Sequence, residues 1–218
     1  MNNPIALYTY WRSSAAYRVR IALNLKGLEW RAVPVSLVRD GGEQRKPAYR
    51  ELNPQGLVPT LRYGDDVLTQ SLAIVEYLDE RHPAPPLLPA DPLGRSRVRA
   101  LALSIACDVH PLNNLRVMKY LKESCGQSDG DVARWYAHWI AEGFAALEAE
   151  LANGGTSGRF CYGDEPTLVD CCLVPQVYNA RRFDCDLRPY PTLRRIDEAC
   201  LELEAFRRAE PSVQADAS

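Results

Sequence analysis

Over roughly the first third of the chain the apolar positions change period several times. Ile5 to Tyr10 is a short apolar and aromatic run, as in a strand. From Ser13 to Lys26 the spacing turns helical, with Val19, Ala22, Leu23 and Lys26 recurring at three and four, and Gly27 stands where a helix-ending glycine is expected. Trp30 to Val35 alternates again as a second strand. Asp40-Gly41-Gly42 signals a turn, Gln44 to Leu52 a short helix, and Asn53-Pro54-Gln55-Gly56 a break. Thr60 to Tyr63 and Val67 to Thr69 predict two brief strands around the turn Gly64-Asp65-Asp66. Ser71 is expected to cap a helix with Ile74, Val75 and Leu78 on one side. The order β-α-β-α-β-β-α predicts a small sheet, partly parallel and partly antiparallel, with helices against it.

His82-Pro83-Ala84-Pro85-Pro86-Leu87-Leu88-Pro89 cannot continue a helix and predicts a stiff linker. Beyond it strand signals nearly vanish. Asp91 to Cys125, Asp131 to Leu151, Leu168 to Phe183 and Leu193 to Arg207 predict helices, and the small, polar tail from Pro211 is expected to fray. The chain therefore divides into an α/β domain over residues 1–82, a linker over 83–90 and an all-helical domain over 91–218.

Composition narrows the function classes. A net charge of −2 gives no basic surface for nucleic acid, and no apolar run approaches a membrane span, so neither partner is expected. Met1-Asn2-Asn3-Pro4 lacks the basic start and apolar core of a signal peptide, so a cytoplasmic protein is expected. Seven cysteines form no C-x-x-C pair, and three histidines offer no zinc spacing, so no metal site is expected. The cysteines are expected to be reduced, and any thiol chemistry to come from a ligand.

Three segments carry candidate chemistry. At Arg12-Ser13-Ser14-Ala15 a strand runs into a helix with two hydroxyls and a cation at the junction. That is a place to hold an anion such as a thiolate, or only a capped helix start. Leu57-Val58-Pro59-Thr60 puts a proline ahead of a strand. Spacing alone favours an ordinary loop, since about one X-Pro bond in twenty is cis. Gln70-Ser71 is a second helix start after a strand, suited to a carboxylate or to simple capping. Thr167-Leu168-Val169-Asp170 has the form of a capping box and reads as structural. Arg18 and Arg20 read as ion-paired or surface residues.

Together, Ser13-Ser14-x-x-Tyr17-Arg18-Val19-Arg20-Ile21-Ala22-Leu23, Asn53-Pro54, Val58-Pro59, Gln70-Ser71 and the Thr167–Asp170 box resemble the cytosolic glutathione transferases, the zeta class above all. His110-Pro111-Leu112-Asn113-Asn114-Leu115-Arg116, Leu173-Val174-Pro175-Gln176-Val177 and Asn179-Ala180-Arg181-Arg182-Phe183 resemble the maleylacetoacetate isomerases of that class. The resemblance runs from Ile5 to about Pro211. It implies a thioredoxin-like N-terminal domain, a helical C-terminal domain completing the substrate pocket, a homodimer, and glutathione as cofactor. Glutathione contacts are implied at Ser13, Ser14, Ala15, Gln44, Val58 beside a cis Pro59, Gln70, Ser71, His110, Asn113 and Asn114. The class pattern Ser-Ser-Cys has Ala15 in its third position here, which removes a thiol but keeps both hydroxyls.

Cis–trans isomerisation of a maleyl-type dicarboxylic keto acid needs a thiolate and cations for the substrate carboxylates. Ser13, with Ser14, is the candidate activator; Arg12 and Arg182 are the candidate cations, with Arg181 and Arg116 in reserve, because a guanidinium fork matches a carboxylate. Maleylacetoacetate, maleylpyruvate, and general conjugation or dehalogenation are the competing substrates or activities, and a non-enzymatic assembly module is the rival class. Leu115, where some maleylpyruvate isomerases carry arginine, favours maleylacetoacetate.

Overall fold

The computed structural model describes residues Pro4–Ala217. Their contacts form two compact units: the chain up to Leu87 together with Glu202 onward, and the stretch Leu88–Leu201. The C-terminal tail thus groups with the first unit and not with the helices that precede it.

The first unit contains β1 (Ile5–Thr9), α1 (Ser14–Leu25), β2 (Arg31–Pro34), α2 (Pro47–Leu52), β3 (Thr60–Tyr63), β4 (Asp66–Thr69) and α3 (Ser71–Arg81). The strands form one sheet in the order β2-β1-β3-β4, with β1 and β2 parallel and the other pairs antiparallel. This is the expected thioredoxin-like arrangement. Leu7 and Leu61 face each other across β1 and β3 and are fully buried with Ile74 and Leu78 of α3. The predicted helix from Gln44 begins only at Pro47, because the residue before a proline is pushed to extended backbone, as Lys46 is (φ −68°, ψ 146°).

Helix α1 is buried at every residue from Ala16 to Leu23, including Arg18 and Arg20, so neither arginine lies at the surface. A helix covered on all sides shows no polar stripe, and its few charges must find partners inside. Its end follows the glycine signal. Gly27 adopts φ +62°, Leu28 N–H donates to Leu23 O and Gly27 N–H to Asn24 O, which satisfies the last carbonyls.

Lys26, just past α1, carries a buried ammonium that donates to Asp79 of α3 at 2.6 Å and to the carbonyl of Pro85, while Asp79 also accepts from Leu87 N–H at 2.7 Å. This clasp fixes the proline-dense stretch to both helices. Lys26→Met, which keeps the apolar stem and deletes the charge, should cost about 2 kcal/mol by leaving Asp79 with one donor. Urea unfolding midpoints of the two proteins check this.

The second unit is all helix: α4 (Pro92–Leu103), α5 (Leu115–Glu123), α6 (Asp129–Asn153), α7 (Leu168–Arg182) and α8 (Pro191–Leu201). A single helical region was expected from Asp91 to Cys125. Instead α4 gives way to a π-helical segment at Ser104–Val109 and a 3₁₀ turn at His110–Asn113, and Asn114 starts α5 afresh. Pro111, which has no N–H to offer a continuing ladder, sits in that turn. Helix α7 is the centre of the unit, with Leu168–Val177, Asn179 and Ala180 buried. Its capping box is formed, and Asp170 is fully buried.

The last predicted helix splits into α8 and α9 (Glu204–Arg207), the latter packing in the first unit. The tail is not frayed over the described residues: Pro211 is buried and Gln214 is tied to the carbonyls of Arg208 and Glu210. Among the described residues, no helix is long and apolar enough to cross a membrane.

Candidate active site

Strand register gathers three sequence-predicted segments at one end of the sheet. Tyr8 pairs with Thr60, and Thr60 with Thr69. Pro59 therefore follows the end of β1 on one side and meets Gln70 on the other. The start of α1 and the start of α3 stand at this same end.

Ser13, not Ser14, is the N-cap of α1, its Oγ accepting from Ala16 N–H at 3.2 Å. Capping occupies a lone pair and leaves the hydroxyl proton free to donate. Ser14 begins the helix and is buried, with contacts of its own in the fold. Ala15 follows, half-buried. Ser13 N–H also closes a turn on Tyr10 O at 2.9 Å. Arg12, at the corner of that turn, has its guanidinium 4.4 Å from the Trp11 ring centre and donates to the Tyr10 hydroxyl at 3.3 Å; its Nε is buried without a partner.

The Val58–Pro59 bond is cis. The loop carrying it is clamped by the side chains of Tyr49 and Asn53. The Tyr49 hydroxyl donates to Leu57 O at 2.7 Å and meets Thr60 Oγ1 at 2.9 Å, and Asn53 Nδ2 donates to the same carbonyl at 2.8 Å. Burial pushes the Tyr49 phenol above its ordinary range, against the pull of its Thr60 and Asn53 bonds. Val58 packs its side chain with Tyr10, Val35 and Tyr49. Asn53 stood in the sequence as a chain breaker and as part of the family motif, with no role for its side chain, although asparagine's habit of bonding nearby backbone was a usable signal; its Oδ1 accepts from Gln55 N–H at 3.1 Å.

Gln44 is buried and its Oε1 has no partner. Gly42, at φ +108°, leaves room for it: a Cβ there would stand 2.6 Å from that oxygen. Gln70 is the N-cap of α3 at φ +68°, a conformation rare for a residue with a Cβ. Ser71, expected as the cap, is instead the first helical residue. Its Oγ accepts from the buried Arg18 guanidinium at 3.2 Å, which ties the two helix starts together.

In the helical unit, Asn113 is buried and neither its Oδ1 nor its Nδ2 has a partner. A buried amide left wholly unpaired is costly and calls for a ligand or ordered water. Asn114 spends its Oδ1 capping α5 through Arg116 N–H at 3.1 Å. His110 opens the 3₁₀ turn half-buried and has a partner of its own. The three arginines separate cleanly. Arg181 pairs with the buried Asp197 of α8 at 2.6 Å and is structural. Arg116 is exposed in the first turn of α5. Arg182 ends α7 exposed, with its guanidinium 4.5 Å from the Phe183 ring centre. Phe183 in turn stacks on Tyr136 at 3.8 Å.

Two of the buried thiols, those of Cys161 and Cys200, are poor nucleophiles. Burial pushes Cys161 and Cys200 far up, and the nearby Asp170 charge adds to the shift. Such groups stay protonated.

Comparison with known proteins places this site. The profile described as "Glutathione S-transferase, N-terminal domain" matches residues 7–86, and "Glutathione S-transferase, C-terminal domain" matches residues 132–209. A protein of Vibrio cholerae named "Probable maleylacetoacetate isomerase" is 53% identical over 98% of this chain and 98% of its own length. A solved structure described as a holo maleyl pyruvate isomerase, "a bacterial glutathione-s-transferase in Zeta class", is 51% identical over 98% of this chain and 100% of its own, with a TM-score of 0.95. A maleylacetoacetate isomerase of Anaeromyxobacter dehalogenans, solved with glutathione in its active site, is 47% identical over 100% of both chains, with a TM-score of 0.88. The turn at Ser13, the cis-proline loop and the paired helix starts thus belong to a chain of the glutathione S-transferase family, zeta class.

Proposed function

We propose that the protein is a glutathione-dependent cis–trans isomerase of a maleyl-type dicarboxylic keto acid, with maleylacetoacetate as its substrate. The observation that carries this reading is the Ser13 hydroxyl, fixed as an N-cap at the start of a helix with its proton free. The near full-length likeness to proteins named for that reaction supports it. The polar groups left over in the fold fit glutathione. Gln44 Oε1 is an orphaned acceptor for its amide N–H groups, the Gln70-Ser71 helix start suits one of its carboxylates, and the Val58 backbone can pair with a peptide-like ligand. In the helical unit, Asn113 is assigned to glutathione because both its polar atoms lack partners; His110 and the Asn114 amide nitrogen are assigned by resemblance alone.

Glutathione, when bound, would supply the thiolate nucleophile that the isomerisation needs. The protein's own groups do the rest. Ser13 donates to the sulfur and favours its ionised form, with the helix start adding positive potential. Ser14 shapes the turn from inside. Arg12, held by Tyr10 and Trp11 with its Nε unspent, takes a substrate carboxylate, and Arg182 takes another. Leu115 in place of an arginine leaves a less densely cationic site, which favours the longer acid over maleylpyruvate. We further propose a homodimer in the cytoplasm; seven free thiols support a reducing compartment.

Purified protein supplied with maleylacetoacetate or maleylpyruvate, with and without glutathione, tests the reading through appearance of the trans product. It fails if neither acid is turned over in a glutathione-dependent way. Faster turnover of maleylpyruvate would reverse the substrate choice. Arg12→Ala and Arg182→Ala should each raise the KM for the acid about tenfold or more, the worth of a charged hydrogen bond, while the KM for glutathione changes little. An unchanged KM for the acid removes the residue from that role.

A further inference from the structure

Trp11 stands directly before Arg12 and Ser13, and its backbone is held on one side by Asp216, far along the chain, and on the other by Arg20 of α1. Its N–H donates to Asp216 Oδ2 at 3.0 Å, and its carbonyl accepts from Arg20 Nη2 at 3.0 Å. Arg20 is fully buried and also donates to Thr9 Oγ1 at 3.1 Å, to Tyr10 O at 3.5 Å and to Ala209 O at 2.9 Å. One guanidinium therefore joins the end of β1 to the start of the tail. The tail is itself folded: Gln214 Nε2 bonds Arg208 O and Glu210 O, and Ala217 N–H closes on Gln214 O at 3.0 Å, around Asp216.

Because Ser13 N–H bonds Tyr10 O, Trp11 and Arg12 are the two central residues of a β-turn. The peptide between those residues is the one that turns over when such a turn changes type. Here its carbonyl is pinned by Arg20, and the peptide ahead of it is pinned by Asp216. We infer that Asp216 is a positioning residue for catalysis: from the far end of the chain it holds the Trp11 peptide so that Arg12 and Ser13 keep their working geometry. The inference rests on the role of Ser13 proposed above.

The experiment uses the full chain with Asp216→Ala and Asp216→Asn. Asparagine keeps an oxygen that can accept from Trp11 N–H and drops the charge. Asp216→Ala should speed hydrogen exchange at the Trp11 amide, lower kcat about tenfold, the scale of one lost hydrogen bond at the turn, and leave the KM for glutathione within about twofold. Asp216→Asn should restore kcat to within about threefold of the unaltered protein. Unchanged exchange in Asp216→Ala overturns the contact. Faster exchange with unchanged kcat overturns the positioning role while leaving the isomerase reading intact. Equal loss in both variants also overturns it, since the charge and not the bond would then matter. If the unaltered protein shows no glutathione-dependent turnover, the isomerase reading fails and this inference with it.

Discussion

Ser13→Ala should lower glutathione-dependent turnover by about tenfold, and by no more than about 25-fold, at neutral pH, with a larger loss in acid. A free thiol with a pKa near ~8.5 is only a few per cent ionised at pH 7. If the Ser13 donor and the helix start together bring it down by about two units, that is worth about 2.7 kcal/mol, or roughly two orders of magnitude in the ionised fraction over the acid range. Losing the donor should therefore move the acid limb of the kcat/KM profile toward higher pH, with activity partly recovered in alkaline buffer. Alanine also removes a cap worth about 1 kcal/mol, so a drop in activity could be confused with a loosened helix. Ser13→Gly separates the two, because glycine replaces a serine cap at a cost of a few tenths of a kcal/mol. Near-native stability with the full loss of turnover in Ser13→Gly assigns the effect to donation. Ser13→Thr, which keeps the hydroxyl, should retain much of the rate. The ultraviolet absorbance of the thiolate, followed against pH in the binary complex, reads the same shift without turnover. An unmoved pH profile in Ser13→Gly would mean that another group activates the sulfur.

The local signals in this chain were legible, and the distant ones were not. Strand followed by helix at Ser13, the glycine end at Gly27 and the Thr167–Asp170 box are each settled within a few residues, and each is present as read. Gln70 and Ser71 were placed one position out, because nothing in the sequence announces a non-glycine residue at φ +68°. The Asp91 to Cys125 stretch has apolar spacing good enough for one helix. Its break at Pro111 was visible in principle, whereas the π-helical turn before it has no sequence mark. Arg18 and Arg20 read as ion-paired or surface residues, because charge normally means exposure or an ionic partner. Their burial follows from the packing of α3 and α9 on α1, and Arg20 meets carbonyls contributed by residues as distant as Ala209. The tail misled for the same reason. Small polar residues fray when nothing receives them, and here Trp11 N–H and Arg20 do. In the candidate site, then, the residues proposed to meet the ligand were readable as motifs, while those that hold them in place belong to tertiary structure.

Asp170→Ala should cost the most stability of any single change considered, about 4 kcal/mol or more. The carboxylate is fully buried at the first turn of α7 and gathers donors from three parts of the helical unit. Oδ2 accepts from Thr167 N–H at 2.7 Å and from Thr167 Oγ1 at 2.9 Å; Oδ1 accepts from Cys161 N–H at 2.9 Å and from the Cys200 thiol at 3.9 Å. The box thus does more than start a helix. It also pins the loop at Cys161 and touches α8 through Cys200. Burial pushes the carboxyl up, and the bonds from Cys161 and Thr167 pull it back down. Alanine would orphan two backbone N–H groups and a hydroxyl inside the protein, each worth about 1–3 kcal/mol. Against a typical native stability of about 5–15 kcal/mol, that loss leaves little margin. Asparagine should rescue poorly, because one of its two ends must present an N–H₂ donor to an N–H already pointing at it. Thr167→Ser, which keeps the hydroxyl, should cost under about 1 kcal/mol. Urea midpoints and soluble yield measure the series. A loss below about 1.5 kcal/mol in Asp170→Ala would show that water or a local shift satisfies these donors, and that the start of α7 is not the keystone of the helical unit.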